Sequence, residues 1–198
     1  MFFNFFNKKF FRLLFFLIIN LILIAFISFC LFFSYRFIQK KYIYPLEYKD
    51  WVFEYSKNFN LDSAIIFSII KIESNFNAAA ISNKNAMGLM QITSSTGNFI
   101  ANNLNVKDYS LLNPKTNILF GCWYLKYLKN KFNNLNVVVA AYNAGEGNVA
   151  NWLSNSNYSL DGKTLNAIPF SETKRYVDKF ATTFAKYKKL YENILDKL

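Results

Sequence analysis

One carboxylate in this sequence sits where a charge is costly. Glu73 closes a run in which Leu61, Ala64, Ile65, Ile69 and Ile72 recur at helical spacing, with Ile66 and Ile70 widening the apolar stripe. A carboxyl held among such side chains favours its neutral form, so its pKa rises and it becomes a proton donor close to neutral pH. A polar segment follows at once, carrying Ser74, Ser82 and Gln91. Residues 78–88 lack a long apolar period and read as a loop with a short helical turn, in which Asn85 and Gly88 both tolerate positive φ. The pattern is a single acid at a helix end, facing a loop of small polar groups.

Composition removes most competing chemistry. The 198 residues include no His, which excludes Ser-His and Cys-His nucleophile pairs, His-bearing zinc sites and imidazole acid–base work. The two cysteines, Cys30 in an apolar segment and Cys122 in a helix-like run, lie in different environments; a disulfide between them is not expected, and Cys122 reads as core. The residues leave no metal-ligand cluster and call for no cofactor, so acid–base work falls to Asp, Glu, Lys or Tyr. Net charge is +11, but Lys8, Lys9, Arg12, Arg36, Lys40 and Lys41 all precede the first acidic residue. The remainder is mildly basic, which suits an anionic surface such as a membrane or a wall polymer. No helix-turn-helix, RNP or zinc-finger pattern is present, so nucleic acid is not an expected partner.

The elements that must position Glu73 follow from the chain in order. Residues 13–35 carry no charge and exceed the ~20 apolar residues a bilayer crossing needs. They read as a retained membrane anchor, with 1–12 on the cytoplasmic side, 36–50 as a juxtamembrane link and 51–198 as one helical domain. Phe29 occupies the position before Cys30 where a lipobox wants a small residue, and small-residue spacing for signal cleavage is poor. Pro45 ends any helix continuing from the membrane. Helices are expected at 51–58, then up to Glu73 with Asn60 or Asp62 as cap, and at 89–103. Asn113-Pro114 caps and opens another to about Phe132, within which Gly121 predicts close helix packing. Asn136 opens a helix at 137–142 that Asn143-Ala144-Gly145 ends, 155–169 reads as irregular, and Ser171 caps a last helix to about Leu195.

Taken together, Glu73-Ser74-x-Phe76, Ser82, Ala86-x-Gly88-Leu89-Met90-Gln91, Asn113-Pro114, Ala141-Tyr142-Asn143-Ala144-Gly145 and Glu172-Thr173-x-x-Tyr176-Val177 occur in one order with compatible gaps. This set resembles the soluble-lytic-transglycosylase (SLT) family of the lysozyme-like superfamily, over about 51–187, nearly the whole of the chain beyond the anchor. The resemblance implies an all-α, lysozyme-like domain that cleaves the β-1,4 bond between N-acetylmuramic acid and N-acetylglucosamine in peptidoglycan, leaving a 1,6-anhydromuramoyl end. It places Glu73 at the family's catalytic acid, and Ser82, Gln91, Tyr142, Asn143 and Glu172 along the glycan groove. Ala78, Asn83 and Ser94 stand where the family often has Pro, Asn85 where it has Gly, and Thr93 where it often has Met. None of these removes a group the reaction needs.

Glycoside cleavage needs a proton donor at the leaving oxygen, and ordinary hydrolysis usually adds a second carboxylate. A transglycosylase omits the second because the sugar's own C6 hydroxyl attacks, so Glu73 would donate one proton and then accept another. Tyr142 would hold or polarise that carboxyl, Ser82 would bond the N-acetyl group or the leaving sugar, and Gln91 would contact sugar or brace the loop. Two alternatives stay open: a muramidase in which Asp62, Asp108 or Glu146 activates water, and a non-catalytic wall-binding scaffold. The expected partner is the peptidoglycan glycan strand, and the expected location is the cell membrane, single-pass, with the domain outside the cytoplasm.

Overall fold

The uncharged stretch at 13–35 lies inside one helix, α1 (Phe3–Ile38), which runs well beyond it on the N-terminal side. From Phe10 onward its large apolar side chains are exposed, as befits a segment with no polar face to turn toward water. Helix α1 widens at its end into a π-helical turn, Gln39–Ile43, closed by the Tyr44 N–H donating to the Gln39 carbonyl at 2.7 Å. The helical path thus stops just ahead of Pro45. Among the described residues this is the one helix long and apolar enough to cross a membrane. The structure, a computed structural model, describes residues 3–195. The chain divides into two units, Met1–Pro45 and Leu46–Leu198.

The second unit is helical: α2 (Lys49–Phe59), α3 (Ser63–Glu73), α4 (Ser94–Leu104), α5 (Pro114–Lys131), α6 (Leu135–Ala144), α7 (Glu146–Leu153) and α8 (Ser171–Leu195). Among its described residues the only extended pairings are isolated bridges of Met87 with Ile81 and Ile92. Helix α3 is the core. Every residue from Ser63 to Ile70 is buried, against α2 on one side and α8 on another. Phe67 stacks on Tyr187 at 5.6 Å between ring centres and takes Phe53 edge-on. Each large apolar side chain so enclosed stabilises the fold by about 1.5–3 kcal/mol. Asp62 caps the helix, its carboxylate accepting the Ala64 N–H at 2.8 Å. Asn60 instead ends α2 in the left-handed region.

Several boundaries differ from the sequence expectation, each for a local reason. Residues 89–93 do not open a helix. Gln91 takes a positive φ of 50° and the Met87–Ile92 bridge folds the segment into a tight loop, so α4 begins at Ser94 with Thr93 as its cap. Leu89, Met90 and Ile92 are buried, but from a loop. The cap of α6 is Asn134, whose side chain accepts from the N–H groups of Asn136 and Val137. Helix α7 was not anticipated. It starts directly after Gly145 (φ 87°), and buried Val149 and Trp152 hold it. Helix α5 follows its signals: Asn113 accepts from Thr116 N–H, Pro114 is the first helical residue, and a Cβ on Gly121 would overlap the Met90 side chain.

Candidate active site

Because α3 is apolar to its penultimate turn, its last residue is presented at the edge of the core. Glu73 is half-buried there, with its carboxyl beside α8. Burial pushes its pKa up to about 7, and the neighbouring Glu172 charge adds to the rise; a hydrogen bond from Tyr176 and the Lys179 charge act the other way. The C-terminal end of a helix also disfavours a negative charge. Tyr176 Oη donates to Glu73 Oε1 at 2.6 Å, leaving the second carboxyl oxygen to carry the proton. Burial, then the Glu73 charge, holds the hydroxyls of Tyr142 and Tyr176 well above the ordinary tyrosine range, so both remain donors.

Opposite Glu73, the loop from Ser82 to Thr93 is fixed by side chains from two helices and from the residue that ends α3. Ser74 donates to the Leu89 carbonyl at 2.8 Å. Asn117 on α5, fully buried, donates to the carbonyls of Met87 (2.9 Å) and Leu111 (2.7 Å) and accepts the Met90 N–H at 2.7 Å. Tyr142 on α6 donates to the Met90 carbonyl at 2.8 Å. Gly88 (φ 76°) fits only as glycine, since a Cβ would strike the Leu111 carbonyl and Asn117. Loop backbone that would otherwise be unpaired in the interior is thereby satisfied, which makes the loop a rigid wall.

Between that wall, α3 and the starts and ends of neighbouring helices lies a cleft of about 510 Å³. Glu73, Ser82, Gln91, Tyr142, Asn143 and Glu172 all line it, although they come from four separate segments. Their local roles differ from the simplest expectation in two places. The hydroxyl bonded to Glu73 is that of Tyr176, not Tyr142; the single Tyr142 proton is committed to Met90. Gln91 braces the loop, its amide donating to the carbonyls of Gly88 (2.9 Å) and Ala80 (3.1 Å), so its carbonyl oxygen is the group left for a ligand. Ser82 closes a turn by accepting the Ala86 N–H at 3.1 Å while facing the cleft. Glu172 is exposed at the rim and paired with Lys84 at 3.2 Å.

Of the carboxylates considered as water activators, Asp62 caps α3 and pairs with Lys188 at 3.3 Å. Glu146 is bound by Lys131 (2.6 Å) and Tyr127 (3.0 Å). Neither they nor Asp108 line the cleft, where Glu172 is the carboxylate that accompanies Glu73. Tyr176, Asn117, Ser74, Lys84 and Tyr124 are the site residues to which sequence reasoning assigned no role. For Tyr176 the signal was present in the Glu172-Thr173-x-x-Tyr176 segment. Cys122 is fully buried and burial pushes its thiol up, as a core residue requires.

Residues 50–165 match the transglycosylase SLT domain family. The chain is 36% identical over 151 residues to a soluble lytic murein transglycosylase of Salmonella typhimurium, covering 73% of this chain and 23% of that protein. It thus spans under a quarter of that relative's length. A membrane-bound lytic murein transglycosylase C of Edwardsiella ictaluri is 28% identical over 170 residues, 73% of this chain and 47% of the relative. Among solved structures, an inactive mutant of the lytic transglycosylase Slt from Pseudomonas aeruginosa, carrying a Glu-to-Gln change, aligns with a TM-score of 0.64 at 30% identity, over 74% of this chain and 24% of that one. The all-α, lysozyme-like fold expected of residues 51–198 is the fold these likenesses share.

Proposed function

The chain belongs to the transglycosylase SLT family, and from that membership we propose that it is a membrane-anchored peptidoglycan lytic transglycosylase with Glu73 as its single acid–base. The observation that carries the reading is a carboxyl, raised to about 7 by burial, at the wall of a cleft of about 510 Å³ lined by polar side chains. With Tyr176 bonded to Oε1, the neutral carboxyl gives its proton to the glycosidic oxygen. The bond from that oxygen to muramic C1 breaks, its electron pair leaving with N-acetylglucosamine. The C6 hydroxyl of the same muramic residue then attacks C1 and returns its proton to Glu73, closing the 1,6-anhydro ring. Tyr176 keeps the carboxyl oriented through both protonation states.

The cleft residues then divide the work. The Gln91 carbonyl, Ser82, Asn143 and the rim carboxylate of Glu172 offer hydrogen bonds to hydroxyl and N-acetyl groups, while Tyr142 keeps the loop wall at its distance from Glu73. Such a pairing of one buried acid with a polar groove is what an intramolecular attack needs, since no water has to be activated. A relative in this family that is inactive with a Glu-to-Gln change supports a glutamate as a group the reaction needs.

The test is mass spectrometry of peptidoglycan digested by the full chain in detergent. Anhydromuramoyl ends, absent with Glu73→Gln, are the expected products. Reducing muramic ends would identify a hydrolase, and undiminished cleavage by Glu73→Gln would remove Glu73 from the chemistry. The apolar helix α1 and the membrane-bound relative support anchoring through residues 13–35, with 1–12 inside, 36–50 as the link and the domain outside the cytoplasm. Protease added to intact cells should then digest the chain beyond Trp51; full protection would reverse the orientation.

A further inference from the structure

Helix α3 ends on Glu73, and its opposite end opens on a second cavity, of about 390 Å³. Four helices meet there. The end of α2 brings Lys57 and its cap Asn60, α3 begins with Ser63, α5 brings Lys129 and α8 brings Lys188. None of these residues lines the cleft of Glu73.

Hydrogen bonding around this cavity uses up the acceptors and leaves donors over. The Ser56 and Lys57 carbonyls already accept the N–H groups of Leu61 (2.9 Å) and Asn60 (3.3 Å). The Asn60 carbonyl accepts from Lys129 at 3.2 Å. The Asp62 carboxylate accepts the Ala64 N–H at 2.8 Å and pairs with Lys188 at 3.3 Å. Ser63 differs from all of these. It is only 4% exposed, and among the described residues its hydroxyl is the one buried side-chain group with no hydrogen-bond partner. It lines the cavity as the first residue of an eleven-residue helix, whose leading N–H groups lack partners within the helix.

Charge points the same way as the donors. Lys57, Lys129 and Lys188 set three positive charges against Asp62, the single carboxylate among the lining residues, and the start of α3 adds its positive pole. Such a lining selects a ligand that accepts hydrogen bonds, donates none and carries negative charge. A phosphate group meets all three conditions, and its terminal oxygens can take donors arriving separately from α2, α3 and α5. A planar carboxylate, with two oxygens, serves fewer of them.

We infer that the cavity at the start of α3 is a binding site for a phosphate ester, held by Ser63 and the ammonium groups of Lys57 and Lys129. Lys188 offsets the carboxylate that would otherwise repel it. An occupant satisfies the hydroxyl that folding leaves unpaired, so binding and stability are linked at Ser63.

Phosphorus NMR titration of the full chain in an uncharged detergent, with inorganic phosphate and with glycerol 3-phosphate, tests the site. Both should saturate. Ser63→Ala should weaken both about fivefold, while its thermal stability in phosphate-free buffer is no lower than the native chain's, since no bond is lost. Asp62→Asn keeps a cap on α3, removes the opposing charge and should tighten both about threefold. Absence of saturation, equal affinity in the native and Ser63→Ala chains, or weaker binding by Asp62→Asn overturns the site. Each of those results leaves anhydro-product release, and with it the reading of Glu73, untouched. A further arm identifies the source of the phosphate. Glycerol 3-phosphate binding that is lost in phosphatidylglycerol vesicles, but kept in phosphatidylcholine vesicles made equally anionic with oleate, identifies a lipid headgroup. Binding kept in both identifies a soluble or polymer-borne ester.

Discussion

Tyr176 Oη and Glu73 Oε1 stand 2.6 Å apart, a bond that joins the beginning of α8 to the last residue of α3. A half-buried carboxyl and a buried hydroxyl that share one hydrogen bond are each constrained by the other. The tyrosine stays protonated because burial and the nearby carboxylate oppose its ionisation, and the carboxyl is drawn back from an even higher pKa by the donor it receives. This one contact therefore orients Glu73 and also tempers the rise in pKa that burial causes.

Tyr176→Phe removes that contact and little else. Because the tyrosine bond lowers the Glu73 pKa, its loss must raise it. Activity that requires the protonated acid falls above about 7 in the native chain, so the alkaline limb should move upward in the variant. Loss of orientation should cost about 1.5–3 kcal/mol in the barrier, or roughly 10- to 100-fold in kcat. A pH profile of anhydro-product release measures both. An unshifted limb would mean that Tyr176 does not govern the acid.

The same pKa has a consequence for stability. Glu73 rises from 4.5 to about 7 on folding, so the folded state holds the proton more tightly than the unfolded chain. Its contribution is fully present below 4.5 and is lost as pH rises through 7. Glu73→Gln keeps an acceptor for Tyr176 and never ionises. Relative to the native chain it should gain roughly 1–3 kcal/mol between pH 4.5 and 8. Thermal unfolding at the two pH values checks the sign. A variant whose relative stability is the same at both would show that the carboxyl is not buried.

How much of this was legible depends on the range over which a residue acts. Asp62, Asn113-Pro114 and Gly145 act within one helical turn, and each caps, opens or ends a helix as read. Glu73 at the end of an apolar stripe was equally local. Residues 89–93 failed because Leu89, Met90 and Ile92 are apolar for a loop's sake, and periodicity cannot tell a buried loop from a buried helix. Helix α7 contains Gly147 and two asparagines, weak helix formers, and is held by tertiary burial of Val149 and Trp152. The partners of Tyr176 and Asn117 lie 103 and up to 30 residues away, beyond any spacing rule.

Asn117 gives that last point an energetic form. Its amide satisfies one carbonyl and one N–H of the cleft wall and the Leu111 carbonyl just ahead of α5, all from the interior of the fold. Asn117→Leu fills the same space and orphans the Leu111 carbonyl and the Met90 N–H, while the Met87 carbonyl keeps the Ile92 N–H at 3.0 Å. Each unsatisfied buried group costs about 1–3 kcal/mol, so unfolding free energy should fall by roughly 2–4 kcal/mol after partial relaxation. Urea titration of the full chain in detergent reads this. A loss below about 1 kcal/mol would show that water replaces the side chain and that the wall is not rigid.

Gly121 and Met90 make the loop's attachment testable from the opposite side. Helix α5 comes close enough to the loop that a methyl on Gly121 would overlap the Met90 sulfur and terminal methyl. Alanine favours the helix by up to ~1 kcal/mol over glycine, so on propensity alone Gly121→Ala should stabilise. Overpacking opposes it at about 1–3 kcal/mol and should win. Met90→Ala alone should destabilise by about 2–5 kcal/mol through the cavity it leaves. Combined, the two changes relieve the clash and refill part of that cavity, so the double variant should be more stable than the sum of the singles predicts by at least 1 kcal/mol. Strict additivity in a double-mutant cycle would mean that α5 and the loop carrying Gln91 are not in contact. Displacement of that loop in Gly121→Ala should also raise KM for glycan more than it lowers kcat, because Gln91 and Ser82 move while Glu73 and Tyr176 stay in place.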